Sequence, residues 1–428
     1  MRMAERRHAG ERDRGQEAPR EQVAESPVST RCCIAGGGPA GMMLGFLLAR
    51  AGVDVVVLEK HADFLRDFRG DTIHPSTLEV MHELGLLDRF LELPHEKVYR
   101  ISARVGDVVL PVADFDHLPT RCRFIAFMPQ WDFLNFLAEA GRRHPSFRLW
   151  MRTEVTGLIE ESGRVAGVHV ATADGPREVR ADLVVAADGR SSLVRERAGL
   201  EVEELGAPID VLWFRLSRRP DDAGQTMGRF DTGRIFIMIN RGAHWQCGYV
   251  IPKGSLEEIR QSGLEAFRED IGALAPFAAD RVAELRSWED VKLLTVRVDR
   301  ARRWYRPGLL CIGDAAHAMS PIGGVGINLA IQDAVAAANR LAVPLRDGHV
   351  TVDHLRAVQE RRELPTRVTQ RIQLLVQDRV ITRVLGGRRP LRPPLALRLL
   401  ARFPPLRRIP GRLVGIGIRP EHVRTPDR

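Results

Sequence analysis

Three stretches of the chain share one pattern, in which a short apolar run is followed by a glycine-bearing turn and a segment of helical spacing. In the first stretch, residues 32–35 predict a buried strand, residues 39–51 a helix and residues 54–58 a second strand. The second stretch is ADLVVAADGRSSLVRERAGL, and the third runs from PGLLCI into INLAIQDAVAAANRLA. Strands that alternate with helices in this way predict an α/β fold around a parallel sheet.

Composition places the chain among globular proteins of more than one domain. It has 428 residues, of which 44% are hydrophobic and 28% charged. The five cysteines, at positions 32, 33, 122, 247 and 311, have no metal-ligand spacing, so we expect no metal site. They suit a reducing, cytoplasmic compartment better than a disulfide framework.

The net charge of +9 is concentrated at one end. Between Leu385 and Arg428 there are eleven arginines against Glu421 and Asp427, so the rest of the chain is balanced. This distribution argues against nucleic acid as a partner of the whole protein. Prolines interrupt the basic segment, and an apolar stripe of Leu395, Leu399, Leu400 and Phe403 could either dock on the body or contact an anionic membrane surface.

The first thirty residues combine six arginines with six acids and few large apolar side chains, and we expect them to be a disordered tail. They contain no hydrophobic core of a signal peptide. Residues 32–49 form an uncharged run of eighteen, but the glycines at its start would break a membrane helix. A transmembrane span is therefore not expected.

The first glycine cluster has the form G-x-G-x-x-G between two predicted strands. Gly36 permits the turn, Gly38 allows a pyrophosphate to approach the backbone, and Gly41 allows the helix to pack on the strand. The helix N-terminus then presents free N–H groups to the phosphates. Glu59 follows Gly38 by twenty-one residues and can accept hydrogen bonds from a ribose. Nucleotide binding follows, although the motif alone does not distinguish FAD from NAD.

The second glycine cluster, GDAAHAMSPIGGVGIN, lies almost three hundred residues later. Asp314 follows a predicted strand at the edge where ligands bind in open α/β sheets. Gly323, Gly324 and Gly326 precede a helix whose first N–H groups could stabilise negative charge on a flavin ring. One dinucleotide with two separated polar parts accounts for both clusters.

With Asp188, Gly189, Ser192 and Arg195 as the third motif, the chain resembles the single-component FAD-dependent aromatic hydroxylases, the group A flavoprotein monooxygenases that include para-hydroxybenzoate hydroxylase. The three motifs stand in that family's order, and the resemblance extends from about residue 31 to about residue 380. It implies FAD as cofactor and NAD(P)H as a transient reductant. It also places the cofactor on the following residues: Gly36, Gly37, Gly38, Pro39, Ala40, Gly41, Glu59, Lys60, Arg69, Gln130, Val155, Asp188, Gly189, Asp314, Pro321, Gly324, Gly326, Ile327 and Asn328.

Several polar residues have a structural alternative. The resemblance places Arg69 along the flavin and pyrophosphate, and Arg69 and Pro321 are the candidates for a catalytic role, although the catalytic residues stay unknown. Gln130 could cap the helix that it precedes, and helix capping is likewise the alternative for Ser192 and Arg195. The same ambiguity affects two histidines, for which a core or positioning role is the simpler interpretation: His74 and His317.

The region that would bind substrate is less informative. Residues 210–216, 234–240 and 244–251 alternate like strands of a mixed or antiparallel sheet. Because side chains alternate between the two faces of a strand, five residues are candidates for a pocket above the flavin: Trp213, Arg215, Met238, Asn240 and Tyr249. About half of these residues could instead lie in the core or on the surface.

The fold expected is α/β, with a discontinuous Rossmann-like FAD-binding domain, an inserted β-sheet substrate domain and a helical C-terminal region. The expected bounds are 1–30 for the tail, 31–100, 120–204 and 300–344 for the FAD domain, 101–119 and 205–299 for the substrate domain, and 345–428 for the C-terminal helices.

The resemblance implies a monooxygenase that transfers one oxygen atom of O2, through a flavin C4a-hydroperoxide, to a phenolic or other electron-rich small molecule. Two alternatives stay open: an FAD-dependent reductase or dehydrogenase of the same fold that acts on a polyprenyl-type substrate, and a binding protein that uses the fold without catalysis. The sequence does not give the oligomeric state.

Overall fold

The computed structural model describes residues 28–65, 72–222, 226–387 and 393–428. Its strands are β1 Val28–Ala35, β2 Val55–Leu58, β3 Thr72–Ile73, β4 Glu96–Val98, β5 Arg100–Val105, β6 Val108–Asp114, β7 Ile125–Phe127, β8 Phe147–Trp150, β9 Glu154–Glu161, β10 Arg164–Thr172, β11 Gly175–Ala186, β12 Val202–Glu204, β13 Ile209–Ser217, β14 Met227–Asp231, β15 Arg234–Asn240, β16 His244–Pro252, β17 Lys292–Leu294, β18 Asp299–Ala301, β19 Tyr305–Arg306 and β20 Leu309–Cys311.

The helices are α1 Pro39–Arg50, α2 Pro75–Glu83, α3 Leu87–Phe90, α4 Gln130–Gly141, α5 Leu193–Arg197, α6 Leu256–Gln261, α7 Leu264–Leu274, α8 Gly326–Arg346, α9 Val352–Val376, α10 Thr382–Leu385, α11 Leu395–Arg402 and α12 Arg408–Gly415. Shorter helical turns of 3-10 type include Gly313–Ala315 and Ile322–Gly324, and Gln377–Ile381 forms a π-helical turn.

An eight-stranded sheet forms the centre of the fold, in the order β19-β20-β11-β1-β2-β8, with β10 and β9 extending from β11. The run from β20 to β8 is parallel. Its inner strands are continuous apolar runs, as expected for strands buried on both faces: β2 is buried at all four positions, and α1, which packs on β2, is buried at ten of its twelve. This is the Rossmann-like α/β architecture that the alternating pattern predicts.

One sequence-based expectation at the N-terminus is wrong. Val28, Ser29 and Thr30 were assigned to the disordered tail, but they begin β1 and pair with residues 179–181 of β11. A hydrogen-bonding partner about 150 residues away orders them, and local composition cannot show such a partner. Residues 1–27 lie outside the described residues.

A second sheet of seven strands has the order β17-β13-β16-β15-β14-β5-β6. The strands come from two stretches of chain, Arg100–Asp114 and residues 209–294, because β14 pairs in parallel with β5. The register of β13 on β16 joins Trp213 to Gly248, and β15 joins Ile237 to the same glycine. Paired residues share a face of the sheet, so the register determines which side chains point the same way.

The C-terminal segment packs on the body. Arg50 donates to the carbonyl of Thr425, and the amide of Arg428 donates to the carbonyl of Arg50. A Cβ on Gly411 of α12 would overlap the carbonyl oxygen of Asp114 at the end of β6. Docking is thus observed for residues 411–428. The predicted apolar stripe is not buried by it, because Leu395, Leu399 and Phe403 stay exposed. Within the described ranges, no helix combines the length and apolar character needed to cross a bilayer.

Candidate FAD-binding site

Four polar or glycine-bearing corners follow four neighbouring parallel strands. Glu59 follows β2, Gly36 follows β1, Ala187 and Asp188 follow β11, and Gly313 lies just beyond β20. The order β20-β11-β1-β2 brings their carboxyl ends to one edge of the sheet, about 14 Å across for three strand spacings. This edge is where an open α/β sheet binds an extended dinucleotide.

Glycine is required at position 36 for steric and conformational reasons. Its φ is +109°, and a Cβ there would overlap the carbonyl oxygen of Ala187. Gly38 precedes α1 and is different, because a Cβ there would meet no atom within 4 Å. The open space at Gly38 faces the unpaired first turn of α1. The backbone therefore leaves room for a phosphate where donors are available.

Glu59 is buried next to the first turn. Its Oε2 accepts from the amide of Gly37 at 3.1 Å, and its Oε1 accepts from the amide of His61 at 3.0 Å. These bonds fix the carboxylate at the end of β2 beside the glycine turn. A carboxylate at the end of the second strand is the group that accepts from the ribose hydroxyls in Rossmann-type sites.

The side chain of Asp188 stabilises its own turn. It accepts from the hydroxyl of Ser192 at 2.5 Å and from the amide of Val194 at 3.2 Å. Burial raises the pKa of Asp188, and these two hydrogen bonds oppose that rise. Ser192 in turn caps α5 by accepting from the amide of Arg195 at 3.0 Å, so the capping interpretation of Ser192 is confirmed.

Two arginines join the corner at Asp188 to the corner at Gly313. The guanidinium of Arg195 donates to the carbonyl of Ala315 at 2.9 Å and to that of Arg190 at 3.0 Å. Arg190 lies 3.5 Å from the carboxylate of Asp314, and both side chains are about one-third exposed. Asp314 therefore keeps an accessible face toward the sheet edge.

A buried charge network supports the Gly313 turn. Asp333 accepts from the amide of Gly313 at 3.1 Å, from His317 at 2.6 Å and from Arg362 at 2.9 Å. Burial alone would raise the pKa of Asp333, but the ion pairs with His317 and Arg362 lower it overall. His317 is only 1% exposed, and the structural interpretation of this histidine is confirmed.

The second glycine cluster is fastened to the segment before α2. Gly324 has φ +62°, and a Cβ there would overlap the hydroxyl of Thr72, which donates to the carbonyl of Gly324 at 2.8 Å. Asn328 accepts from the amide of His74 at 2.9 Å and from the hydroxyl of Thr77 at 2.7 Å. It donates to the carbonyls of Thr72 and Gly324 at 3.0 and 3.3 Å.

All four hydrogen-bonding positions of the Asn328 side chain are thus occupied by protein. The side chain acts as a clamp for the loop, and the donors left for a ligand at the start of α8 are backbone N–H groups of residues 326–328. Ile327 is partly buried against the main core. Pro321 precedes the turn at Ile322–Gly324, and its carbonyl accepts from the amide of Gly324 at 3.0 Å.

Sequence reasoning missed a ladder of glutamines on α9 that holds the same loop from the other side. Gln370 donates to the carbonyl of Ala318 at 3.0 Å, and Gln373 donates to those of Ser320 and Ile322 at 2.9 Å. Gln377 adds a bond to the hydroxyl of Ser320. The available sequence signal was the spacing of these glutamines by three and four residues, which places them on one face of a helix. Once that face is buried, such side chains require hydrogen-bonding partners.

The remaining predicted cofactor residues have different surroundings. Lys60 is exposed and lies 3.8 Å from Glu154, while Val155 on β9 is partly buried against the core. Gln130 is the first residue of α4, and no side-chain hydrogen bond caps that helix. The alternative of capping by Gln130 is therefore wrong. Arg69 lies outside the described residues.

The two faces of the seven-stranded sheet separate the predicted pocket residues. Met238 and Tyr249 pack in a cluster with Phe267 and Ile271 of α7. Trp213 lies on the opposite face, in a cluster that includes Ile322 of the glycine loop. Of the two faces, it is the second that packs on the glycine loop, where the flavin is expected.

The expectation that Met238 and Tyr249 line the flavin side is therefore wrong. Asn240 shares their face, because it pairs with Trp245, which lies in the α7 cluster. Arg215 shares the face of Trp213 but is exposed. Period-two alternation shows which residues share a face, but the layer that covers each face is a property of the tertiary structure.

A cavity of about 270 Å³ adjoins Asp188 and Gly189. Its lining combines three guanidinium groups, two hydroxyls, a carboxylate and two apolar side chains: Arg190, Arg195, Arg297, Ser191, Ser192, Glu196, Leu200 and Val202. The excess of positive charge suits a phosphate-bearing ligand.

Comparison with known proteins agrees with this geometry. A family model described as FAD binding domain matches residues 29–372, which is most of the chain. The chain belongs to this family. It is also 35% identical over 390 residues to the 6-methylpretetramide 4-monooxygenase of Streptomyces rimosus, covering 90% of this chain and 92% of that protein. Several other curated relatives are longer, and the chain spans 56–66% of their length.

Solved structures show the same fold. PqsL, a probable FAD-dependent monooxygenase from Pseudomonas aeruginosa, superimposes with a TM-score of 0.70 at 23% identity, over 84% of this chain and 97% of that one. The anhydrotetracycline hydroxylase from Streptomyces rimosus gives a TM-score of 0.69 at 23% identity, over 91% and 76%. The family and the close relative make this chain an FAD-dependent aromatic hydroxylase of the group A type, with NAD(P)H as co-substrate.

Proposed function

We propose that the chain hydroxylates a phenolic substrate of several fused rings, of the aromatic polyketide class. The proposal is supported by the relative whose name specifies oxygenation of 6-methylpretetramide and which is matched over almost its whole length. The anhydrotetracycline hydroxylase has the same fold. One observation carries the proposal. Four strands of the central sheet end at one edge, and the apolar face of the second sheet that contains Trp213 lies against the glycine loop at that edge.

We assign FAD to that edge. The open space at Gly38 and the first turn of α1 suit the pyrophosphate, and the fixed carboxylate of Glu59 suits the adenosine ribose. Asp314, with its accessible face, suits the polar chain between phosphate and ring. The backbone N–H groups at the start of α8 suit the electron-rich edge of the ring. Bound FAD supplies the redox chemistry, since it accepts a hydride from NAD(P)H and then activates O2.

The protein's contribution is position and exclusion of water. Trp213 and Ile237 pair through Gly248 on one face of the sheet, and Trp213 packs in the same cluster as Ile322. This face is an apolar cover for the loop that carries Pro321 and Gly324. A flat aromatic substrate would be held between the two by burial of its rings. We propose the FAD and substrate domains with the bounds given above, except that β1 starts the FAD domain at Val28 and β5 starts the substrate domain at Arg100. We also propose the arginine-lined cavity beside Gly189 as the contact for a phosphate of the reductant.

The decisive experiment combines turnover with labelled oxygen. NADPH and NADH consumption is measured with fused-ring phenolic polyketides and, as a size control, with single-ring phenols. We expect substrate-stimulated oxidation of the reductant for the fused-ring compounds and one labelled oxygen atom in the product from isotopically labelled O2.

Two outcomes would count against the proposal. Product without labelled oxygen would indicate a reductase or dehydrogenase of the same fold. Bound FAD without substrate-stimulated oxidation of NAD(P)H would indicate a protein that binds but does not catalyse.

A further inference from the structure

A second cavity lies far from the FAD edge, between α8, α9 and the C-terminal segment. Its volume is about 350 Å³, and it is lined by Asn339, Arg340, Arg361, Glu421 and Arg424. Asn339 follows Gly326 by thirteen residues on the same helix, so the cavity is about 20 Å along the axis from the glycine loop. It is not part of the FAD site.

The one carboxylate in this lining is already shared. Glu421 is buried, and its Oε1 lies 2.5 Å from Nε of Arg361 and 3.6 Å from Nη1 of Arg362. Arg362 is itself paired with Asp333. Three arginines and one glutamate line the cavity, which leaves two positive charges without a carboxylate partner in it.

Arg340 is the arginine with the least compensation. Its side chain is half-buried, and its hydrogen bond runs to the carbonyl of Ala336 at 3.4 Å. No carboxylate of residues 28–65, 72–222, 226–387 and 393–428 forms an ion pair with it. Burial lowers the pKa of Arg340, Glu421 opposes this, and Arg361 and Arg424 lower it further.

The wall formed by the C-terminal segment is fixed in place. The amide of Asn339 donates to the carbonyl of His422 at 2.8 Å, and its oxygen accepts from the amide of Arg424 at 2.8 Å. The segment therefore holds Arg424 beside Arg340 although both are cations. A cavity lined by more guanidinium groups than carboxylates matches the charge and fork geometry of a phosphate.

We propose that this cavity binds a phosphate monoester or inorganic phosphate, whose two negative charges balance the arginines and fasten the C-terminal segment to α8 and α9. The cavity is larger than a phosphate ion, so an organic phosphate fits it best. The site is independent of the hydroxylation proposed above.

The test is direct binding to FAD-saturated protein, without reductant or substrate, by isothermal titration. The probes are ribose 5-phosphate and inorganic phosphate, with chloride at matched ionic strength as the control. We expect saturable one-to-one binding of ribose 5-phosphate and weaker or equal binding of inorganic phosphate. Inorganic phosphate binding equally well would identify the free ion as sufficient.

Variants locate the binding. Arg340→Gln is expected to weaken binding about tenfold or more, because a charge-assisted bond is lost. Arg346→Gln on the same helix removes the same charge outside the cavity and should change the affinity much less. If Arg340→Gln does not fold, Arg424→Gln, at an exposed side chain, provides the same measurement. Absence of saturable binding of both probes, or equal losses in the cavity variants and the Arg346 control, would overturn the proposal.

Discussion

The clamp formed by Asn328 can be tested with an isosteric change, Asn328→Asp. The two accepting bonds from His74 and Thr77 survive, because a carboxylate oxygen replaces the amide oxygen. The two donating bonds do not survive, and the new oxygen faces the carbonyls of Thr72 and Gly324. The side chain is 4% exposed, so water cannot relieve this contact.

Two lost hydrogen bonds cost about 2 kcal/mol of unfolding free energy, and a charged oxygen buried against carbonyls adds about 2 kcal/mol more. The cost should be smaller in acid. A carboxyl in this position has a raised pKa in the folded state, so the native protein binds the extra proton first and regains stability as pH falls through that pKa. The control is Asn339→Asp, at a cavity wall where Arg340 and Arg424 favour a negative charge. This variant should cost no more than about 1 kcal/mol of unfolding free energy.

Urea unfolding of FAD-free protein measures the difference in unfolding free energy between the variants. The unfolding is followed by both circular dichroism and tryptophan fluorescence, and coinciding transitions show that it is two-state. Each variant is compared with the parent protein at the same pH, at about pH 8 and about pH 6. FAD affinity, from quenching of flavin fluorescence, should fall for Asn328→Asp because Gly324 loses its clamp. Equal destabilisation by both variants, or a difference that widens in acid, would refute the reasoning.

Four further predictions test separate parts of the structure. Gly36→Ala should destabilise FAD-free protein by about 2–3 kcal/mol because its φ is +109°, whereas Gly38→Ala should leave the melting temperature unchanged and reduce retained flavin absorbance. Burial lowers the pKa of His74 from 6.5 to about 4, so stability should fall by about 3 kcal/mol as pH drops through that window, and His74→Asn should remove this slope in urea midpoints. Asp333→Asn removes the buried carboxylate that contacts Arg362 and His317 and should cost about 3 kcal/mol or more in thermal melting, because Arg362 loses its nearest counter-charge. Trp213→Ala should raise KM for a fused-ring substrate severalfold, an effect that Tyr249→Phe on the opposite face should not share.

Local sequence was sufficient for the elements of the central sheet. The buried strands before Gly36, Asp188 and Gly313 were predicted because parallel strands covered on both faces are continuous apolar runs. The helix after Gly38 was predicted within one residue of its observed end at Arg50. Thr72, Asp333 and the α9 glutamines were missed, because each acts on a loop distant in sequence and no local pattern gives its partner.

The sequence by itself determined the α/β class, the order of three glycine-bearing motifs and the concentration of positive charge near the C-terminus, because each depends on residues close together in the chain. The tertiary structure decided which face of the second sheet is turned toward the glycine loop, which strand orders Val28 and which cations share the carboxylate of Glu421. These features depend on contacts between residues dozens to hundreds of positions apart, and only packing brings such residues together.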